Sequence, residues 1–283
     1  MIQLIAMDMD GTLLTPPPIH ITENTIAVLK KASEQGIKLV LASGRPADDA
    51  GTFARNAGLD MAVIALNGSC MTLHPFDNLI CVHHLKKDSG IAVLRHLLEQ
   101  NAFFGMFCDH DLYVHELDPL HPMPDMIWGT YLAEGRGQIS RDECDAWAFA
   151  ERGISKFVVV DLLHSDMLAK IRPEIEHLAP ELTYSSSWKD NLEINPAGVS
   201  KGSALRELCS MLSIPMDDVM AIGDNSNDLS MLNCCGYPVA MGNATQDVLA
   251  ACPYHTLRNT EDGVAAAISK LALNDSQTGG QTL

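Results

Sequence analysis

Residues 1–14, MIQLIAMDMDGTLL, decide the fold class of this chain. The apolar run 2–7 predicts a short strand buried on both faces, as in a parallel sheet. Asp8 and Asp10 follow it, and side chains two residues apart in an extended backbone point to the same side. Gly11 then ends the strand and turns the chain. The sequence therefore places two acids together at a strand end, the usual position of a site in an open α/β sheet.

The paired carboxylates admit more than one interpretation. Two acids this close repel each other unless a cation or a shared proton lies between them. A hard divalent ion such as Mg²⁺ suits oxygen ligands of this kind. Alternatively, one acid attacks a substrate while the other carries a proton. The competing structural interpretation is a solvated turn, because Asp and Gly are common in turns.

Composition limits the partners of this chain. Its 283 residues suffice for one large domain or two ordinary ones, and the 47% that are hydrophobic support a substantial core. With 19 Lys and Arg against 36 Asp and Glu, the net charge is −17. We therefore expect no nucleic-acid partner and no anionic membrane partner. A phosphorylated substrate must be attracted locally, by a metal, a lysine or backbone amides.

The cysteines and the apolar segments bear on where the protein works. The eight cysteines are scattered, and none forms a Cys-x-x-Cys motif. A disulfide framework is not expected in a chain this large without a secretion signal. The N-terminus lacks a basic segment, and no apolar stretch reaches membrane-spanning length. We expect a reduced, cytoplasmic protein that is a monomer or a weak homodimer.

Strands and helices alternate through the first part of the chain. The periodicity predicts a helix over 22–35, a strand over 37–42, a helix ending at Asn56 and a strand over 61–66. Strand, helix, strand, helix, strand indicates a parallel βαβ sheet with right-handed crossovers. Each strand ends in small polar residues, which should lie at the same edge of the sheet.

The rhythm changes near residue 84, and the strand–helix alternation resumes near residue 200. The predicted fold is α/β, with a Rossmann-like parallel-sheet core domain over 1–83 and 191–283 and an inserted α+β cap domain over 84–190. The cap is expected to hold an antiparallel sheet, with hinges near 83–85 and 188–192. Within it, a helix over 165–178 is expected to be disturbed or split by its proline, Pro173.

Four polar stretches at presumed strand ends or helix starts look like one phosphoryl-transfer site: 8–12, 43–45, Lys201 and 223–228. Asp8 would be the nucleophile, because a carboxylate can form an acyl phosphate. Asp10 would be the general acid and base, protonating the leaving oxygen and then activating water. Lys201 would offset the charge of the phosphate.

Further residues would hold the phosphate. Ser43 and the Gly44 amide would bind phosphate oxygens, since glycine permits close backbone approach, and Asn227 could touch them. Arg45 could reach the substrate or pair with an acid of the cap. Taken alone, the Ser43–Gly44 pair is also a common strand-to-helix turn.

The metal would be held by acids from two strand ends. Asp224 would complete a Mg²⁺ site with Asp8 and with Asp10, the latter through its carbonyl oxygen. Asp228 could orient Lys201 or a metal-bound water. The structural interpretation is a turn followed by a helix that Asp228 or a neighbour caps.

The ordered set of motifs resembles the haloacid dehalogenase-like hydrolase superfamily, specifically its Cof-type sugar-phosphate phosphatases with an α/β cap. The matching stretches are DMDGTLL (8–14), LASGRP (41–46), NG (67–68), GVSKG (198–202), GDNSND (223–228), ML (231–232), AMGNA (240–244) and DGV (262–264). The resemblance implies Mg²⁺-dependent hydrolysis of a small phosphorylated metabolite through an aspartyl phosphate on Asp8. It also implies that the backbone amide of Met9 binds phosphate.

Other interpretations stay open beside this one. A phosphomutase of the same fold would keep the phosphate and transfer it back. A catalytically silent sugar-phosphate sensor would be expected to lack an essential acid or the lysine, and none is missing. Four side chains of the cap could face the leaving group: His110, His115, His121 and Trp128. Residues of these types in such a segment are more often packed in a core or exposed to solvent.

Overall fold

The computed structural model of the chain describes residues 1–16, 19–109, 111–115, 132, 135, 137–161, 166–187 and 189–273. Its strands are β1 Leu4–Met7, β2 Lys38–Ala42, β3 Ala62–Ala65, β4 Cys70–Thr72, β5 Cys81–Val82, β6 Phe104–Cys108, β7 Asp111–His115, β8 Gly137–Ser140, β9 Lys156–Val160, β10 Thr183–Ser185, β11 Asn191–Asn195, β12 Val219–Gly223, β13 Tyr237–Ala240 and β14 Tyr254–His255. Its α-helices are α1 Glu23–Glu34, α2 Ala47–Asn56, α3 Lys87–Glu99, α4 Glu143–Ala150, α5 Met167–Leu178, α6 Lys201–Met211, α7 Leu229–Leu232, α8 Gln246–Ala251 and α9 Gly263–Leu271. Among these helices, none is both long enough and apolar enough to cross a membrane.

Strand β1 lies in the interior of the first sheet, whose order is β14-β13-β12-β1-β2-β3-β4-β5. It is parallel to both neighbours, and Met7 is aligned with Leu41 of β2 and with Ile222 of β12. The strands from β14 to β3 are parallel, whereas β4 and β5 are added antiparallel at one edge. The predicted α/β class with a parallel-sheet core is confirmed, and the loop after β1 lies where the loops of its parallel neighbours meet.

Burial on both faces explains why β1 reads as a continuous apolar run. Ile5 and Met7 lie in the apolar cluster formed with α1, α2 and α9. Leu4 and Ala6 lie in the cluster on the opposite face, formed with α6, α7 and α8. Because successive side chains of a strand point to opposite faces, helices on both sides leave no polar position within it.

Side-chain caps start two of the helices that flank the first sheet. The Thr22 side chain accepts a hydrogen bond from the Thr25 amide and so starts α1. Ser200 starts α6 with a reciprocal pair of hydrogen bonds to Ser203. Such caps satisfy backbone donors that the first turn leaves free. The second cap fixes the position of Lys201, the first residue of α6.

The second sheet has the order β10-β11-β9-β6-β7-β8. It is antiparallel except at one edge, where β8 pairs parallel to β7, so the prediction of a wholly antiparallel sheet is wrong for that pair. Helices α3, α4 and α5 pack on one of its faces. Helix α5 continues through Pro173, because Ile171 and Ile175 on either side of the proline are both buried in that cluster and hold the helix in place.

The second sheet extends beyond the boundary predicted at residue 190. Strand β11 pairs antiparallel with both β9 and β10, so this sheet includes Asn191–Asn195. The face away from the helices carries Phe107, Val114 and Val158, which lie in the same apolar cluster as Met9. That face is therefore turned toward the loop after β1. Of the residues predicted for the hinges, Trp188 lies outside the described residues.

Candidate active site

Lys201 and Asp8 meet at the carboxyl end of β1. The Lys201 Nζ donates to Asp8 Oδ1 at 2.6 Å and to Asp228 Oδ1 at 2.7 Å. The side chains of Lys201 and Asp228 are fully buried, and that of Asp8 is nearly so. The sequence predicts these residues at one sheet edge, and the structure brings them into direct contact.

The loop after β12 supplies the neighbouring acids. Carboxylate oxygens of Asp8, Asp224 and Asp228 lie within 4.8 Å of one another. Asp228 Oδ2 accepts hydrogen bonds from the backbone amides of Asp224 and Asn225, at 2.9 and 3.0 Å. Since its other oxygen accepts a hydrogen bond from Lys201, both carboxylate oxygens of Asp228 already have partners. It orients the lysine and the loop, and Asp8 and Asp224 are the acids better placed to bind a cation.

Gly11 allows the first loop to approach Asp224. Its φ is +86°, and a Cβ at this position would lie 2.4 Å from Asp224 Oδ2. The next residue, Thr12, donates its hydroxyl to Asp224 Oδ1 at 2.6 Å. Only glycine fits both the left-handed backbone and this close approach. The Asp-x-Asp-Gly-Thr sequence therefore packs the loop after β1 against the acid after β12.

Negative charge exceeds positive charge within this cluster. Burial raises the pKa of Asp8 well above its ordinary value, and Asp228 raises it further against the opposing effect of Lys201. Burial likewise raises the pKa of Asp224 to about 6, with a further contribution from Asp228 and against the hydrogen bond from Thr12. Buried, crowded carboxylate oxygens with one ammonium between them are a donor set that a hard divalent cation satisfies. The residues present therefore fit Mg²⁺.

Arg45 binds the carboxylate of Asp10, which is not one of the three acids of this cluster. Both of its carboxylate oxygens accept from Arg45, from Nε and Nη2, each at 2.7 Å. Arg45 Nη1 donates to Asp49 at 2.8 Å. Among the described residues, Arg45 thus pairs with Asp10 after β1 and Asp49 of α2, and with no acid of the predicted cap. With its three donor nitrogens bound to carboxylates, Arg45 holds Asp10 in place, and its contact with substrate stays a prediction.

The other residues predicted to bind phosphate lie at the same edge. Ser43 is buried after β2, and its hydroxyl accepts from the Arg45 amide at 3.1 Å. Asn227 Nδ2 lies 3.5 Å from Asn67 Oδ1, at the outer limit of a hydrogen bond. Met9 is buried directly beside Asp8 in the chain. Their contacts with phosphate stay predictions.

A buried ion pair of the second sheet was not predicted from the sequence. Lys156 of β9 and Glu193 of β11 are 2.9 Å apart, with side chains that are 1% and 4% exposed. Lys156 Nζ also donates to the Gly44 carbonyl at 3.0 Å, and Asn67 Nδ2 donates to Glu193 Oε2 at 2.6 Å. Burial alone would raise the pKa of Glu193, but the charge of Lys156 and the hydrogen bonds from Lys156, Asn67 and Ser187 hold it below its ordinary value. The pair joins the second sheet to the strand-end loops of the first.

His115 of β7 lies against the apolar cluster between the second sheet and its helices. The His115 ring stacks on Phe104 with centroids 5.2 Å apart, and its Nδ1 lies 3.3 Å from the Tyr113 hydroxyl. Burial lowers the pKa of His115. Since Leu112 and Val114 face the active-site side, the alternation of β7 turns His115 to the helix-covered side. The prediction that it faces the leaving group is wrong; the other three candidates, His110, His121 and Trp128, lie outside the described residues.

Known proteins resemble this chain along nearly its whole length. The haloacid dehalogenase-like hydrolase family matches residues 5–268. The 5-amino-6-(5-phospho-D-ribitylamino)uracil phosphatase YwtE of Bacillus subtilis is 30% identical over 94% of this chain and 97% of its own. The pyridoxal phosphate phosphatase YbhA of Escherichia coli is 28% identical over 94% and 97% of the two chains. A haloacid dehalogenase-like hydrolase structure from Bacteroides thetaiotaomicron superposes with a TM-score of 0.80 at 26% identity, covering 96% of this chain and 100% of that one.

The family match extends from β1 to α9 and so includes both sheets and every residue of the cluster around Asp8. The resemblance inferred from the motifs is confirmed by this match. The chain therefore belongs to the haloacid dehalogenase-like hydrolase family.

Proposed function

We propose that this protein is a Mg²⁺-dependent phosphatase that hydrolyses phosphomonoesters of small metabolites through an aspartyl phosphate on Asp8. The chain is a hydrolase acting on phosphoric monoesters, of the sugar-phosphate or small-metabolite type. The observation that carries the finer proposal is the buried contact of Lys201 with Asp8 beside two further acids. A carboxylate held next to a fixed ammonium can receive a dianionic phosphoryl group that would otherwise be repelled.

In the first step, an Asp8 oxygen attacks phosphorus while the bond from phosphorus to the ester oxygen breaks. The leaving oxygen takes a proton from Asp10 and departs as an alcohol. For this step Asp10 must carry a proton on one oxygen, which leaves its hydrogen bond from Arg45, while the other oxygen stays bound to Arg45. The Asp10 side chain is 54% exposed, so it is free to turn toward the substrate.

In the second step, Asp10 takes a proton from water as the water oxygen attacks the phosphoryl group. The bond between phosphorus and Asp8 breaks, which releases inorganic phosphate and restores the Asp8 carboxylate. Lys201 keeps its positive charge throughout, because Asp228 and Asp8 together raise its pKa more than burial lowers it. The net reaction consumes one water and yields an alcohol and phosphate.

Asp8, Asp224 and the loop carbonyl of Asp10 would hold the Mg²⁺. When bound, the cation neutralises charge on the phosphoryl oxygens and on the crowded carboxylates. Asp228 supports this arrangement without being a ligand, since amides and Lys201 engage both of its oxygens.

The leaving group would contact the polar side chains that β11 contributes to the face of the second sheet turned toward the loop after β1. In β11, Asn191, Glu193 and Asn195 alternate with the apolar residues that face α3, α4 and α5. Asn195 Oδ1 is buried without a partner among the described residues, which suits a hydroxyl or amine donor on a substrate. The names of the two curated relatives likewise denote phosphatases acting on polar small molecules that carry one phosphate.

Phosphate release from a panel of phosphorylated metabolites tests the proposal. We expect release with Mg²⁺, none in EDTA and none from Asp8→Asn, whereas Asp77→Asn, which changes an exposed acid outside the site, should behave as wild type. Release that persists in EDTA or in Asp8→Asn would reject the mechanism. Conversion of a substrate to an isomeric phosphate would indicate a phosphomutase, and tight binding without turnover would indicate a sensor.

A further inference from the structure

A second cluster of potential metal ligands lies outside the catalytic site. Within the described residues, two groups of three ligand-type side chains have ligand atoms within 4.8 Å, and the one without Asp8 consists of Cys81, His83 and Glu207. Cys81 Sγ is 3.1 Å from His83 Nε2 and 3.3 Å from Glu207 Oε1. His83 Nε2 is 3.0 Å from Glu207 Oε2. Sulfur, nitrogen and oxygen donors therefore converge on one point.

Local structure brings these three side chains to the same side. Cys81 belongs to β5 and His83 follows two residues later, so their side chains share a face. The His83 amide donates to the Ser69 carbonyl at 2.7 Å, which fixes the end of β5. Glu207 lies on α6, on the far side of the contact and more than a hundred residues away in the chain. The cluster is thus built by the fold and not by neighbouring residues alone.

The spacing suits a tetrahedral ion. Zinc bonds of about 2.3 Å to sulfur, about 2.0–2.1 Å to nitrogen and about 2.0–2.2 Å to oxygen place tetrahedral ligand atoms about 3.3–3.6 Å apart. The separation of 3.1 Å between Cys81 Sγ and His83 Nε2 is a few tenths of an ångström shorter. The distances of 3.3 and 3.0 Å from these atoms to Glu207 run to its two different oxygens, and one ligand atom from each residue lies within 4.8 Å of the others. A small outward shift of flexible side chains would therefore admit the ion. The His83 and Glu207 side chains are 37% and 36% exposed, which leaves room for a water as fourth ligand.

We propose that Cys81, His83 and Glu207 form a binding site for a divalent transition metal of the zinc class. Thiolate and imidazole ligands select such ions over Mg²⁺, whereas the all-oxygen cluster at Asp8 selects the reverse. Binding requires the Cys81 thiol to release its proton to solvent and His83 to present Nε2 as an acceptor. The metal would link the segment between β5 and the second sheet to α6, the helix that begins with Lys201.

Cobalt substitution tests this site separately from the catalytic one. The full-length reduced protein, freed of metal and titrated with Co²⁺, should develop a sulfur-to-cobalt charge-transfer band in the near ultraviolet and the visible bands of tetrahedral Co²⁺. Oxygen ligands at Asp8 and Asp224 cannot produce the sulfur band. Excess Zn²⁺ should abolish it, whereas excess Mg²⁺ should leave it unchanged.

Variants of single residues test which side chains produce the sulfur-to-cobalt band. We expect Cys81→Ser to lose it, Glu207→Gln to weaken Co²⁺ binding, and Cys144→Ser, at an exposed cysteine elsewhere, to retain it. Asp224→Asn should also retain it, since that change affects only the catalytic cluster. Circular dichroism verifies that each variant is folded. Absence of the band in the wild-type protein at saturating Co²⁺, or its persistence in Cys81→Ser, would overturn the proposal.

Discussion

Lys201 Nζ lies 2.6 Å from Asp8 Oδ1, although 193 residues separate the two in the chain. The contact depends on three local features: the burial of β1 in the sheet interior, the Ser200 cap that starts α6, and Asp228, which holds the ammonium from its other side. Both side chains are shielded from water. The lysine is therefore a structural counter-charge as well as a candidate catalytic group.

Removal of this ammonium should destabilise the protein. In Lys201→Met, Asp8 and Asp228 stay buried without their counter-charge, a change that typically costs about 3–5 kcal/mol. Urea unfolding in EDTA measures the loss. The control is Lys87→Met, because the exposed pair of Lys87 with Glu151 should contribute at most about 1 kcal/mol. Equal losses in the two variants would contradict the buried charge balance.

Mg²⁺ should stabilise the folded protein, because we expect it to bind the crowded carboxylates that only the native state brings together. At a concentration one hundred times its Kd, the expected gain is about 2.7 kcal/mol in the free energy of unfolding. The gain should disappear in Asp224→Asn and persist in Asp77→Asn. Thermal unfolding with and without Mg²⁺ measures it, and an undiminished gain in Asp224→Asn would place the cation elsewhere.

Asp10→Asn should slow turnover without removing the cation site. The asparagine cannot give a proton to the leaving oxygen or take one from water, so we expect a loss of about 10²- to 10⁴-fold in kcat. The carboxylate of Asp10 lies on Arg45 and outside the cluster at Asp8, so the Mg²⁺-induced shift in Tm should stay close to that of wild type. Wild-type turnover in this variant would remove Asp10 from the proton-transfer role.

The variant Arg45→Lys should show whether Arg45 positions Asp10 or binds the substrate. The planar guanidinium holds both Asp10 oxygens, and an ammonium keeps the charge but cannot make this paired contact. If Arg45 positions Asp10, kcat should fall by up to about 100-fold while KM changes little. If it binds the phosphate of the substrate instead, KM should rise. Initial-rate kinetics on the best substrate distinguishes the two roles.

The pair of Lys156 and Glu193 should behave as one unit. Lys156→Met leaves Glu193 buried beside Asn67 without its cation, and we expect a loss of about 3–5 kcal/mol. Adding Glu193→Leu removes the orphaned charge, so the double variant should recover much of that loss. A double-mutant cycle from denaturant unfolding measures the coupling. Additive losses would show that the two side chains act independently.

The sequence predicts the structure well where a buried apolar strand is followed directly by polar residues of the site. The central strands of the first sheet have apolar runs because both faces are covered, and their polar ends converge at one edge. For this reason the motifs alone suffice to group Asp8, Lys201 and Asp224. They do not predict the orientation of Asp10, because it depends on Arg45 reaching across from the next strand end.

The ion pair of the second sheet and the shortest strands could not be predicted, because their sequences carry no comparable pattern. Glu193 stands in NLEIN, where apolar and polar residues alternate, and that pattern could have placed it on the face opposite the helices. Lys156 begins the run KFVVV and looks like an exposed strand start until its partner is known. Strands β5 and β14 have two residues each, too few for any periodicity. They form because the neighbouring strand has unpaired backbone groups with which they can form hydrogen bonds.

Strand β11 ends at Asn195 and α6 begins at Lys201, so one short turn carries the chain from the second sheet to the ammonium beside Asp8. A displacement of the second sheet would therefore move that turn and with it the ammonium that neutralises Asp8. The link over 196–200 would thus transmit a movement of the second sheet to the charge balance at Asp8.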